Sequence, residues 1–128
     1  MPVTMDWDSP ERRIIRVTFF GEWDVDDIHR MITKRNSMME CVNHHVHQIL
    51  DMTDSTSAPN NLLSVTGRSE LPANKKGSWV LVVNASNYIQ SVASIMRRLS
   101  PQLFDGIYFV DSVDAAYSKI GEHFGERV

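Results

Sequence analysis

The sequence predicts one α/β domain spanning residues 1–128, with a mixed five-stranded sheet layered against helices. Three observations predict it. Val3 to Asp8 alternates Val3, Met5 and Trp7 with Thr4, Asp6 and Asp8, the period of a strand with one buried face. Trp79 to Val83 is short, continuously apolar and rich in β-branched residues, as expected of a central strand covered on both faces. Around these runs, strand-like segments alternate with segments whose apolar residues fall at helical spacing, giving the order β-β-α-β-α-β-α-β-α.

The first strand is followed by Ser9-Pro10-Glu11-Arg12, where proline presets the dihedral of a turn, and by a second strand at Arg13 to Phe20 that Gly21 closes. So short a connection implies an antiparallel hairpin, with the first strand at an edge. Val25, Ile28, Ile32 and Met39 share one face of a helix over Val25 to Val42. Asp24 is placed to cap it, Asp26 and Asp27 suit its positive end, and Arg30, Lys34 and Arg35 should face water. A third strand follows at His45 to Met52, and a polar region runs from Thr53 to Ser78. Within that region Asn61 to Arg68 has the pattern of a short helix turning Leu62, Leu63 and Val65 inward, and Leu71 to Gly77 reads as a loop.

After the Trp79 to Val83 strand, Asn84 to Asn87 leads into a helix with Ile89, Val92, Ala93, Met96 and Leu99 inward, stopped near Pro101. Ile107 to Val110 is the last strand, and Asp111-Ser112 caps a final helix facing inward through Val113, Ala116, Tyr117, Ile120 and Phe124. Right-handed crossovers should make the second to fifth strands mutually parallel.

The composition, 42% hydrophobic and 23% charged with a formal net charge of -3, is that of a globular protein without general attraction to phosphate backbones or anionic membranes. Nucleic acid is therefore not an expected partner. Cys41 is the single cysteine, which excludes an intrachain disulfide. The amino-terminal residues lack the apolar core of a signal peptide, and no apolar run approaches the roughly 20 residues that cross a bilayer. A cytoplasmic protein without membrane insertion is the expectation.

The element order, together with the turn Asp51-Met52-Thr53-Asp54-Ser55-Thr56-Ser57 after the third strand, resembles the STAS domain of the anti-sigma-factor antagonists and the looser SpoIIAA-like group. The resemblance covers nearly the whole chain and implies a STAS-like layered domain with an antiparallel edge strand. In the phosphorylatable members, a Leu-Asp-Leu-Ser strand precedes an Asp-Ser-(Ser or Thr)-Gly turn whose serine is modified. Leu50-Asp51-Met52-Thr53 resembles the first element and Asp54-Ser55-Thr56 the second, making Ser55 and Thr56 the implied phosphorylation candidates. The spacer between the two elements is missing, and Ala58-Pro59 stands where a glycine would open the helix.

Parallel strands placed in this way deliver Asp51, Thr53, Asp54, Ser55, Thr56, Ser57, Asn84, Ser86, Asp111 and Ser112 to one edge of the sheet, the edge at which open α/β sheets bind ligands. Capping and turn formation explain the same residue types without a ligand. His44, His45 and His47 form a run, with His29 on the first helix; His45 and His47 would share a strand face, but a metal needs further ligands, so partly exposed histidines are the simpler expectation. No G-x-S-x-G elbow or glycine-rich phosphate loop is present, and the last strand lacks the lysine of a phosphoacceptor receiver. Trp79 reads as core, Trp23 as either a plug or an exposed anchor, and Met31, Met38, Met39 and Met96 as core filling.

The expected function is a non-catalytic regulatory or recognition domain that binds a protein partner or small ligand at this edge, with no cofactor and no metal. The sequence leaves open a homodimer, a carrier of a small apolar ligand, and a divergent hydrolase or metal enzyme using the serine or histidine cluster.

Overall fold

The computed structural model describes residues 2–62, 79–99, 101 and 106–124. Its strands are β1 (Val3–Trp7), β2 (Ile14–Glu22), β3 (His47–Ser57), β4 (Val80–Val83) and β5 (Ile107–Val110). Its helices among the described residues are α1 (Val25–Glu40), α2 (Asn87–Leu99) and α3 (Val113–Phe124). The strands lie side by side in sequence order, with β1 antiparallel to β2 and every later pair parallel. This is the mixed sheet with an antiparallel edge that the pattern predicts. The helix expected over Asn61 to Arg68 and the loop over Leu71 to Gly77 fall almost wholly outside the described residues, although Leu62 is buried.

A sheet that grows in one direction through right-handed crossovers carries its crossover helices on one face. Here Met5, Ile15, Val17, Phe19, Leu50, Met52, Val80, Val82, Ile107 and Phe109 point to the face covered by α1 and α2, the crossover face. Ile14, Ile49, Leu81 and Val83 point the other way and meet Ala116 and Ile120 of α3. Two cores therefore flank one sheet. The second is smaller, and the α3 face beside β1 and β2 carries Thr4, Asp6, Arg16, Thr18 and Phe20, since consecutive strand residues alternate sides.

The largest departure from expectation is β3. It starts at His47 and runs on to Ser57, where the sequence reads as a loop after Met52. Pairing with β2 advances from Thr18↔Asp51 to Phe20↔Asp54, and from Gly21↔Ser55 to Glu22↔Ser57, so β3 takes in one extra residue at each step. Two bulges break the period of two that would otherwise mark the strand. β2 correspondingly continues through Gly21, whose φ of +56° suits a residue without a side chain.

α1 ends at Glu40, and its start is a reciprocal cap: the Asp27 N–H donates to the Asp24 carboxylate at 2.9 Å, and the Asp24 N–H donates to Asp27 at 2.9 Å. Burial raises the affinity of Asp27 for its proton, but the Asp24 N–H and the Arg30 guanidinium outweigh it and hold the carboxyl below its ordinary value of 3.8. Arg35, expected in water, is half-buried, and burial lowers its proton affinity. Met31 and Met96 are core, as predicted. Leu99 is not: α2 turns Ile89, Val92 and Met96 inward and leaves Leu99 66% exposed.

Candidate functional site

The carboxyl ends of the parallel strands bring together part of the predicted set. The Thr53 hydroxyl donates to the Asp51 carboxylate at 2.6 Å, and the Asn84 side-chain amide donates to the same hydroxyl at 2.8 Å. The Thr53 N–H donates to the same Asp51 oxygen at 3.0 Å. β3 supplies the first two residues and the end of β4 the third. Asn84 has a φ of +56°, a left-handed conformation that asparagine tolerates better than most residues, and its own N–H donates to the Val110 carbonyl. Asp51 is half-buried, while Thr53 and Asn84 are exposed. The result is a polar chain in which the Asp51 carboxylate orients the Thr53 hydroxyl and that hydroxyl in turn holds the Asn84 amide.

The bulge between Thr18 and Phe20 decides what accompanies this chain. It carries Thr53 past the core residue Met52, and the register then sets Asp54 beside Phe20 on the open part of the α3 face. Phe20 is 44% exposed, and among the described residues no helix packs over it. Composition and motif do not single out this residue. The signal was available, because two consecutive phenylalanines on a strand cannot both face the same core.

The remaining candidates divide by role. Ser55 turns toward the crossover face, where its Oγ accepts from the Trp23 indole N–H at 2.8 Å. Trp23 is thus a plug: it is 5% exposed and packs against the Phe19 ring at 4.9 Å. Asp54, Thr56 and Ser57 are exposed along the extension of β3. Ser86 accepts from the Ile89 N–H at 3.3 Å and Ser112 from the Ala115 N–H at 3.0 Å, so both are helix caps, the simpler explanation for their presence. Asp111 is exposed and, with Asn84, Gln90 and Phe109, lines a solvent-open groove between the starts of α2 and α3. The Tyr88 hydroxyl donates to the Pro59 carbonyl at 2.7 Å and ties the chain leaving β3 to α2.

The histidine run does not form the arrangement that a strand over His45 to Met52 would give. β3 begins at His47, which is fully buried and whose Nδ1 accepts from the Trp79 N–H at 3.2 Å; that bond places the ring proton on Nε2. His45 is exposed and lies outside the strand. Among the described residues, no three histidine, cysteine, aspartate or glutamate side chains are placed to hold a metal ion. Trp79, expected as core, is half-buried at the border of the α3 face, 4.4 Å from the Tyr108 ring, with the Lys119 ammonium 5.5 Å and 5.0 Å from the two ring centres.

Comparison with known proteins addresses the fold. No family model matches the sequence, and no curated protein matches it either. Among solved structures, the anti-sigma-factor antagonist SpoIIAA in its unphosphorylated form superposes with a TM-score of 0.60 at 15% identity, covering 96% of this chain and 100% of that one. The fold is that of the STAS and SpoIIAA-like domains. An uncharacterised protein of the DUF3478 family from Shewanella loihica PV-4, also with a SpoIIAA-like fold, superposes with a TM-score of 0.61 at 11% identity, over 91% of this chain and 92% of that one. Both matches cover more than nine-tenths of this chain, 96% and 91%. Among the described residues, no helix of this SpoIIAA-like chain is long and apolar enough to cross a membrane.

Proposed function

We propose that this chain is a non-catalytic recognition domain that binds a protein partner through the bulged end of β3. The observation that carries the proposal is the Asp51, Thr53 and Asn84 chain of hydrogen bonds at the end of β3, followed at the next step of the register by Asp54 beside the exposed Phe20. An aromatic ring bordered by preoriented polar groups supplies both parts of a protein-binding patch, an apolar anchor and a directional rim. The anti-sigma-factor antagonist with the same fold is a protein-binding regulator by its name, which supports the class of partner.

Control by phosphorylation belongs to the same proposal. Thr56 is exposed and Ser55 is half-buried with its hydroxyl engaged by Trp23, so Thr56 is the better acceptor of the two. A phosphoryl group there adds about two negative charges to an edge already carrying Asp51 and Asp54, and disfavours an acidic partner. The test is quantitative affinity purification with wild type, Phe20→Ala, Thr53→Val and Thr56→Asp, each checked for native circular dichroism. A protein that co-purifies with wild type and falls at least about tenfold with both Phe20→Ala and Thr53→Val supports the surface. Unchanged recovery with folded variants refutes it, and unchanged recovery with Thr56→Asp alone removes only the switch.

A further inference from the structure

β1 and β5 are the two edge strands of the sheet, and at each a basic side chain from a crossover helix occupies an outward-facing backbone carbonyl. At β1, Lys34 of α1 donates from Nζ to the Met5 carbonyl at 2.8 Å. At β5, Arg97 of α2 donates to the Ile107 carbonyl. The ladder geometry identifies these carbonyls as edge groups. Phe20 donates to Pro2 and Asp8 donates to Ile14, so within the antiparallel register the even-numbered residues of β1 bond to β2 and Val3, Met5 and Trp7 direct their N–H and C=O outward. On β5, Gly106 and Val110 accept from β4 and its extension, which turns the carbonyls of Ile107 and Phe109 outward.

An unpaired strand edge is a template for another strand, and lysine is among the devices that close it. We propose that Lys34 is an edge lock that keeps β1 from pairing with β1 of a second copy of this chain. The second copy is the occupant that the edge itself specifies. An antiparallel two-fold centred on Met5 sets Val3 opposite Trp7 of the second copy and Met5 opposite Met5, so the outward groups of all three residues find partners. Thr4 then stands opposite Asp6 of the second copy, and no like charges face each other across the pair. Lys34 sits on the central carbonyl of that two-fold, where one ammonium interrupts the register at its middle. β5 offers fewer outward groups and is the lesser acceptor, with Arg97 closing it in the same manner.

Sedimentation velocity and amide hydrogen exchange test the lock. Wild type is expected to sediment as a monomer, and both Lys34→Ala and Lys34→Met, the latter retaining most of the aliphatic stem without the cation, as species of twice that mass. In the dimer, the amides of Val3, Met5 and Trp7 gain protection, whereas those of Thr4 and Asp6, already bonded to β2, change little. Arg97→Ala alone is expected to leave the mass unchanged. The proposal is overturned if both Lys34 variants stay monomeric with native circular dichroism, if they dimerise without protecting the three outward amides, or if Arg97→Ala dimerises in their place. A wild-type dimer that already protects those amides overturns it as well.

Discussion

Phe19 and Phe20 are neighbours in β2, yet Phe19 is fully buried against Trp23 on the crossover face while Phe20 is 44% exposed on the α3 face. The contrast extends to the whole sheet. The crossover face is covered by α1 and α2, the helices of the right-handed β2–β3 and β4–β5 connections. Among the described residues the α3 face carries one helix, which packs on β3, β4 and β5 through Ala116 and Ile120 and does not reach the far ends of β2 and β3. The difference teaches that the open surface is a product of topology: a single terminal helix cannot span a five-stranded sheet, and the residues beyond its reach are free to recognise something else.

The sharpest way to break this contrast is to truncate its two members separately. Phe19→Ala is expected to lower stability by about 3–5 kcal/mol, the usual cost of deleting a buried aromatic ring, read from urea unfolding. Comparable loss from Phe20→Ala would refute the division of the faces. Ile120→Ala should cost about 2–5 kcal/mol and report whether α3 unfolds together with the rest of the sheet. Noncoincident unfolding by tryptophan fluorescence and far-ultraviolet circular dichroism would mark α3 as the looser cover.

A smaller effect tests how the bulged end of β3 is tied to the crossover core. Trp23→Phe removes the indole donor to Ser55 and should cost about 0.5–1.5 kcal/mol, with a double-mutant cycle against Ser55→Ala returning most of that as coupling. Additive losses would show that the bond contributes nothing.

The two faces also differ in the direction of their pH sensitivity. Asp27, in the first turn of α1, has its carboxyl held below 3.8, so its stabilisation is present above that value and is lost as pH falls through the lower folded value. The gap in melting temperature between wild type and Asp27→Asn is therefore expected to be open at neutral pH and to close in acid. Tyr117 of α3 behaves oppositely. Burial raises its phenol above 10.0, reinforced by the Asp8 carboxylate that accepts its hydrogen bond at 3.1 Å and opposed by Arg16. Stability from this group is complete below pH 10 and declines as pH rises through the raised value, so Tyr117→Phe should gain on wild type only in alkali. The smallest stability change, within about 0.5 kcal/mol, is expected for Phe20→Ala.

Much of the fold was legible because periodicity reports burial. The alternation in Val3 to Trp7, the unbroken apolar run at Val80 to Val83 and the Asp24 cap each describe a local choice that the tertiary structure confirms. The site was legible only in part. Asp51, Thr53 and Asn84 could be placed at one edge from strand order, but their hydrogen-bonded union depends on a bulge that removes the pattern on which strand recognition relies. Ser86 and Ser112 carry the same residue type as Ser55 and serve as caps, a distinction set by which N–H lies within reach. Leu99 fits the helical stripe by spacing and is nevertheless exposed, because periodicity gives the direction of a side chain without saying how far the opposing layer extends.

By itself, then, the sequence determined the described element types, their order and the parallel orientation of the inner strands, all consequences of local backbone preference and the handedness of crossovers. Only the tertiary structure decided that β3 continues as a bulged strand through Thr53 to Ser57, that Trp23 closes over Ser55, and that Phe20 faces solvent beside Asp54. Those features arise from pairing between residues distant in the chain, where strand register and the reach of α3 override what each segment prefers alone.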